Sequence, residues 1–126
     1  MGVIAGVDSS TQSTKVELRD LDTGRLAGLG RASHSLVSPP VSEQNPQEWW
    51  SAFNEAFAGA LSDSASRAGR VVTAKDIDAI SVAGQQHGLV VLDESGNTLR
   101  PAKLWNDTES APDAADLRER LGDGDY

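Results

Sequence analysis

The sequence contains no cysteine, which excludes disulfide bonds, zinc–thiolate sites and a cysteine nucleophile. Basic residues are few: 11 Lys and Arg stand against 19 Asp and Glu, and the net charge is −8. The basic residues form no cluster, so nucleic acid and anionic membrane surfaces would be repelled over most of the protein. No apolar run approaches the roughly 20 residues of a membrane span, and no signal peptide is recognised, so we expect a cytoplasmic protein.

The overall composition is typical of a folded domain. Hydrophobic residues make up 38% and charged residues 24% of 126 residues, enough for one compact unit. An anionic ligand such as a nucleotide is still compatible with the acidic composition. Backbone N–H groups and a bound cation can hold phosphate without net positive charge.

The first third of the chain predicts an antiparallel meander of three strands. Residues 3–7 form an apolar run, and Val16 and Leu18 alternate with charged residues. A turn at residues 20–24 leads to a third extended segment from Leu26 to about Ser33.

The next segment carries the best helix signals in the chain. Asn45 fits an N-cap, Pro46 the first helical position, and Glu48 completes a capping box, while Gly69 is a natural terminator. We expect the apolar face to pack on the sheet, although two adjacent tryptophans could instead stack on carbohydrate. That face comprises Trp49, Trp50, Phe53, Ala56, Phe57, Ala60 and Leu61.

The last third predicts shorter elements. They are a strand at 77–83, a loop at 84–88, a strand at 89–92, a turn at 93–97, a short strand from Leu104 and a helix after Pro112, with no closing element in 122–126. Strands, a crossover helix and a further strand indicate an α/β architecture.

Asp8 to Lys15 is the first segment that could carry chemistry. A carboxylate at the end of a buried strand, followed by a hydroxyl-rich turn, can hold Mg²⁺ and present N–H groups to phosphate. The segment is not a P-loop, because the glycines and the following helix are absent. The alternative is an ordinary polar hairpin turn.

Gly84 to Gly88 is the second candidate, with three polar side chains between two glycines and two apolar strands. Loops at strand ends of α/β sheets often bind ligands, and Gln and His offer donors and acceptors to a polyhydroxylated one. A tight connection between strands is the alternative.

Leu104 to Asp107 is the third candidate. An aromatic ring beside an amide and a carboxylate can stack on a sugar face and bind hydroxyl groups. Alternatively, Trp105 belongs to the core and the two polar residues cap the next turn.

Together and in this order, these segments resemble the N-terminal half-domain of xylulokinases in the FGGY family of carbohydrate kinases. The resemblance rests on residues 8–15, 84–88 and 104–107, with Ser42 to Pro46 followed by two tryptophans, and covers essentially the whole chain. It implies a ribonuclease-H-like, actin-like ATPase fold.

The resemblance also implies a reaction: phosphorylation of D-xylulose by ATP, with Mg²⁺, in a cleft between two such domains. The implied sugar-binding residues are Gln86, His87, Trp105, Asn106 and Asp107. The implied phosphate-binding residues are Ser10, Thr11, Gln12 and Lys15, and the implied metal ligand is Asp8. Partners are thus D-xylulose and ATP, and exposed apolar sheet edges make a homodimer an expectation.

Several departures from the family pattern qualify these expectations. Ser10 stands where the family's phosphate loop has glycine, and Gln86 stands where many bacterial members have Met. The family's catalytic aspartate and most of its adenine site fall beyond residue 126, so we expect residues 1–126 to be an incomplete N-terminal domain without the C-terminal one. Another sugar or polyol kinase and a non-catalytic sugar-binding module are the alternatives.

Overall fold

The computed structural model of the protein describes residues 2–122. Its strands are β1 (Val3–Ser9), β2 (Ser13–Asp20), β3 (Leu26–Ser33), β4 (Glu43–Gln44), β5 (Ile77–Gly84) and β6 (Ala102–Lys103), and its helices are α1 (Pro46–Arg67) and α2 (Ala111–Leu121). The main sheet has the order β3-β2-β1-β5, in which β1 runs antiparallel to β2 and parallel to β5. The predicted meander, crossover helix and further strand are confirmed, and the structure adds that this strand is parallel to β1. The terminal residues 123–126 lie outside the described part.

Side chains of β1 and β2 alternate between a buried and an open face of the sheet. Val3, Ala5 and Val7 are buried beneath α1, whereas Ile4 and Asp8 point to the opposite face. This period of two places most apolar residues of the two strands on one side, Ile4 being an exception, and it fixes the register of the strands. The hydrophobic core therefore lies between the meander and α1.

Helix α1 begins and ends where the sequence predicts. The side chain of Asn45 accepts a hydrogen bond from the Gln47 amide (3.0 Å), and Gly69 takes a positive φ of 67° just beyond the last helical residue. The predicted capping box is wrong. Glu48 instead accepts hydrogen bonds from the Ser35 amide (3.1 Å) and hydroxyl (3.0 Å), and thereby ties α1 to the segment after β3.

The predicted apolar face of α1 is only partly correct. Small residues lie closest to the sheet, Phe53 and Phe57 pack against the core as partly buried residues, and Trp50 is 63% exposed. The reason lies in β3, where Gly28 and Gly30 let the helix backbone approach closely: a Cβ at Gly30 would lie 1.8 Å from the Ala56 carbonyl oxygen. The buried stripe consists of Ala52, Ala56, Ala60 and Ser64.

The last third departs most from prediction. No strand forms at 89–92 within the described residues, where Leu89 and Leu92 make only isolated bridges to Lys103 and Thr98. The short strand expected from Leu104 is displaced to β6, which pairs with β4. Helix α2 is confirmed. Within residues 2–122 no helix is both long enough and apolar enough to cross a lipid bilayer.

Candidate functional site

Two of the predicted loops lie side by side at one edge of the main sheet. Because β1 and β5 are parallel, the loop after β1 and the loop after β5 leave the sheet at the same edge. The Gln85 amide donates a hydrogen bond to the Ser9 carbonyl (3.0 Å) and joins the two loops directly.

Thr11 is the point at which all three predicted segments meet. Its hydroxyl accepts a hydrogen bond from the Trp105 indole N–H (3.0 Å) and donates one to the Gln85 side-chain oxygen (3.3 Å). Residues far apart in the chain, the farthest 94 positions from one another, are thereby brought together. The Trp105 ring is not part of the core, because the residue is 61% exposed.

The loop after β1, residues 10–12, contains backbone N–H groups that have no acceptor in the described part of the chain. The Ser10 amide donates to the Ser13 carbonyl (3.0 Å), whereas the amides of Thr11 and Gln12 donate to no acceptor among residues 2–122. The loop lines an open pocket of about 440 Å³ together with the cationic side chains of Lys15 and Arg31. Unpaired amides beside two cations form a concavity suited to an anion.

Asp8 lies next to this loop on the open face of the sheet. Its carboxylate accepts a hydrogen bond from the Ser10 hydroxyl (2.7 Å) and lies 3.8 Å from the Lys15 ammonium, with both side chains of the ion pair about half exposed. Residues 2–122 contain no group of three or more potential ligands that could hold a metal alone. A single carboxylate such as that of Asp8 is compatible with Mg²⁺ that enters with a nucleotide, because such an ion needs only one or two carboxylates besides phosphate and water.

The serine that replaces the family's glycine causes no strain in the loop. His87 is the non-glycine residue with positive φ in the described chain, so Ser10 has a conformation open to any L-residue. Its hydroxyl also has a partner, in Asp8.

Gln86 and His87 lie exposed at the turn that follows β5. Neither side chain has a hydrogen-bond partner in the part of the chain that the structure describes, and His87 has a left-handed φ of 63°. A non-glycine residue held in this region costs energy and is often found at a ligand site. Both side chains are free to contact a ligand.

Asn106 and Asp107 differ in how their polar atoms are used. Asn106 lines the 440 Å³ pocket, and its side-chain oxygen is buried without a hydrogen-bond partner. The Asp107 carboxylate accepts hydrogen bonds from the amides of Ser42 (2.8 Å) and Glu109 (3.1 Å) and from the Lys103 ammonium (3.3 Å). Its oxygens are thus engaged within the chain, and direct sugar binding by Asp107 stays a prediction.

An ionic cluster around Lys103 holds this segment in place. The ammonium group contacts Glu43, Asp107 and Glu109, and the hydrogen bond to Glu109 is the main reason why the pKa of Lys103 is raised. The bond from the Ser42 amide is the main reason why the pKa of Asp107 is lowered. Both groups are therefore charged at neutral pH.

Sequence patterns missed two buried polar residues beneath the loop. Gln44, only 2% exposed, donates to the carbonyls of Thr11 and Ser35. His34, 5% exposed, lies 2.9 Å from the Thr14 hydroxyl at the start of β2. An isolated polar residue gives no periodic signal, so only the tertiary structure shows that these residues support the loop.

Known proteins match this chain over nearly its whole length. The family described as FGGY family of carbohydrate kinases, N-terminal domain, matches residues 3–125. A xylulose kinase from Streptomyces coelicolor is 45% identical over 120 residues, which are 95% of this chain and 23% of that protein. The chain thus spans about a quarter of the length of that relative.

Solved structures also match this chain over nearly its whole length. The xylulose kinase from Bifidobacterium adolescentis has a TM-score of 0.70 and 47% identity, covering 96% of this chain and 21% of that one. A gluconate kinase from Lactobacillus acidophilus has a TM-score of 0.76 over 94% of this chain and 23% of that one, but at 23% identity it shows the fold alone. This chain belongs to the FGGY family of carbohydrate kinases and has the N-terminal part of their ribonuclease-H-like, actin-like ATPase fold.

Proposed function

We propose that the protein containing this chain transfers a phosphoryl group from ATP to D-xylulose and forms D-xylulose 5-phosphate. The observation that carries the proposal is the junction at Thr11. There the loop after β1, residues 10–12, which we call the candidate phosphate loop, meets Trp105 and the loop after β5. Relatives 45% and 47% identical to the chain are xylulose kinases, which supports this sugar over others.

The candidate phosphate loop has the groups that a nucleotide needs. The free amides of Thr11 and Gln12 would donate to phosphate oxygens, and Lys15 would offset their charge. Asp8 would hold Mg²⁺, directly or through water. Bound ATP supplies the phosphoryl group, and the ion neutralises charge on it.

The sugar would bind across the exposed ring of Trp105. Stacking on an aromatic face suits the apolar side of a sugar, and Gln86, His87 and Asn106 supply donors and acceptors for its hydroxyl groups. Asp107 would act mainly by holding the Trp105–Asn106 turn in place through its bond to the Ser42 amide.

We assign no catalytic base within this chain. Phosphoryl transfer depends on groups positioned from both sides of a cleft, and residues 2–122 form one side of it. We propose that the base for the sugar hydroxyl and most of the adenine site belong to the remainder of the full-length protein. Residues 1–126 alone should then not turn over ATP.

A kinase assay on the full-length protein tests this function. We expect ADP release that depends on D-xylulose and Mg²⁺, and no release above the no-enzyme rate from residues 1–126. Thermal-shift measurements with D-xylulose, L-ribulose, glycerol and gluconate test the sugar, because a ligand that binds the folded state raises its stability. Stabilisation and turnover with another sugar, but not with D-xylulose, would overturn the assigned substrate. Sugar binding without any turnover would favour a non-catalytic module.

A further inference from the structure

We propose that Gln44 is a positioning residue for the nucleotide phosphates, acting through the Thr11–Gln12 peptide. The inference rests on the proposed function and adds to it a residue that does not itself touch either substrate. Its side-chain nitrogen donates to the Thr11 carbonyl (2.8 Å) and to the Ser35 carbonyl (2.7 Å). Gln44 thus ties the tip of the candidate phosphate loop to the segment that follows β3.

The orientation of the Gln44 amide is fixed by its partners. Its oxygen accepts a hydrogen bond from the Trp49 indole N–H (2.9 Å), and an indole can only donate. Its nitrogen faces two carbonyl oxygens, which can only accept. A flipped amide would oppose like groups at all of these contacts, so the side chain has a single workable orientation.

This anchor also sets the direction of an amide that is free to bind phosphate. In a trans peptide the C=O group and the N–H group of the next residue point in opposite directions. The Thr11–Gln12 bond is trans, since the cis bond of the described chain is Pro39–Pro40. With the Thr11 carbonyl held by Gln44, the Gln12 N–H points away from Gln44, and Gln12 lines the pocket that contains Lys15 and Arg31.

Removal of Gln44 should therefore disturb phosphate binding more than sugar binding. When the donors of Gln44 are removed, the carbonyls of Thr11 and Ser35 lose this partner, and the Thr11–Gln12 peptide can rotate to recover a hydrogen bond elsewhere. Rotation would turn the Gln12 N–H away from the pocket. The Thr11 hydroxyl keeps its contacts with Trp105 and Gln85, so the sugar side of the junction is less affected.

Steady-state kinetics of Gln44→Met in the full-length protein test the inference. Methionine has a similar length but no donor, and we expect the KM for ATP to rise roughly tenfold or more, with a change of less than about threefold in the KM for D-xylulose. Gln47→Met is the matched control, because Gln47 is exposed in the first turn of α1 and its side chain has no partner within residues 2–122. It should leave both constants unchanged.

Trp49→Phe keeps the test decisive if Gln44→Met does not fold. This variant keeps an aromatic ring but removes the N–H that orients the Gln44 amide, together with the second ring of the indole. We expect a smaller rise in the KM for ATP, about two- to fivefold, again without a matching change for the sugar. An unchanged KM for ATP in the variants that fold, or an equal rise in both constants, would overturn the proposal.

Failure of the proposed function would be distinguishable from failure of this inference. If the wild-type protein does not phosphorylate D-xylulose, the substrate assignment fails, and titration calorimetry with Mg-ATP still compares nucleotide affinity between wild type and variants. Weaker Mg-ATP binding by Gln44→Met but not by Gln47→Met supports the positioning role. Equal affinities in all three proteins contradict it.

Discussion

Two neighbouring regions along one face of the main sheet contain similar residues but differ in what covers them. On the covered side, formed by β1 to β3 beneath α1, Val16 and Leu18 are fully buried. On the open side, formed by β5, Ile80 and Val82 are 51% and 66% exposed, although they align with buried residues of β1. Since α1 packs mainly on β2 and β3, the same apolar face continues past the helix without cover.

This contrast shows what the open side lacks. β5 has apolar residues on both of its faces, a pattern typical of a parallel strand that is covered on both sides. Within residues 2–122 nothing supplies that cover. The xylulose kinase from Streptomyces coelicolor is about four times as long as this chain, and we infer that the rest of the full-length protein packs against β5. The candidate site lies where the covered and open sides meet.

A methyl group at the closest contact of the covered side should have the largest effect on stability. In Gly30→Ala the added Cβ would lie 1.8 Å from the Ala56 carbonyl oxygen and 2.6 Å from the Ala60 amide nitrogen. Both contacts are with backbone, which cannot move aside as a side chain can. We expect a loss of about 3 kcal/mol or more in the free energy of unfolding, measured by urea denaturation of the full-length protein.

Gly6→Ala is the matched control for this close contact. Gly6 lies in β1 of the same sheet, and a Cβ there would have no neighbour within 4 Å. We expect no loss of stability, because alanine suits a strand better than glycine does. Equal losses for the two variants would show that the approach of α1 to β3 does not depend on Gly30.

The covered side could be predicted well because its signals are local. The alternation in β1 and β2 and the cap at Asn45 depend on residues close together in the chain. The error concerned Trp50, which was expected on the face of α1 that meets the sheet but is 63% exposed, whereas Ala56 and Ala60 were placed there correctly. Hydrophobicity favours Trp50, but the choice of Ala56 and Ala60 depends on Gly28 and Gly30 in a strand that must first be placed beside the helix.

A charge introduced on the open side should lower the free energy of unfolding less than the methyl group of Gly30→Ala does. It should also reveal whether the rest of the protein covers β5. In the full-length protein we expect Val82→Glu to lower the free energy of unfolding by about 2 kcal/mol, because the carboxylate would be buried without a partner. Val71→Glu is the matched control, since Val71 is similarly exposed (67% against 66%) but lies in a loop. It should change stability by less than about 0.5 kcal/mol.

Val82→Glu should have a favourable effect in residues 1–126 alone, in contrast to its effect in the full-length protein. In residues 1–126 the apolar surface around Val82 would be uncovered, and we expect association on size-exclusion chromatography at rising concentration, reduced by Val82→Glu. An unchanged stability of the full-length Val82→Glu variant would show that β5 stays open to solvent there, contrary to our inference.

The candidate site was harder to predict from the sequence than the fold was. The three segments were each recognised as polar loops, but their meeting at Thr11 depends on parallel pairing of β1 with β5 and on a turn 94 residues away. The predicted strand at 89–92 is absent because Leu89 and Leu92 meet only single partners, whereas an apolar run suggests continuous pairing. The buried support from Gln44 and His34 gives no periodic signal in the sequence, so its role beneath the loop is visible only in the tertiary structure.

The smallest predicted effect concerns Asp107, which ties the turn at residues 104–107 to Ser42 in the segment that precedes α1. Its folded-state pKa is lowered below the ordinary value of 3.8, chiefly by the Ser42 amide and further by Lys103. A carboxyl group with a depressed pKa stabilises the fold fully above its unfolded pKa, and this contribution is lost as the pH falls through the folded value. In Asp107→Asn the charge is absent at every pH, although the side-chain oxygen can still accept from Ser42.

The difference in Tm between the wild-type and Asp107→Asn full-length proteins should therefore depend on pH. We expect the wild type to be the more stable by a constant margin from about pH 7 to about pH 5, and the margin to shrink below pH 3.8. Asp113→Asn, on the exposed first turn of α2, should show no such dependence. A margin that persists or grows on acidification would mean that Asp107 acts through its shape and hydrogen bonds and not through its charge. Its ion pair with Lys103 would then contribute nothing to holding the Trp105 turn in place.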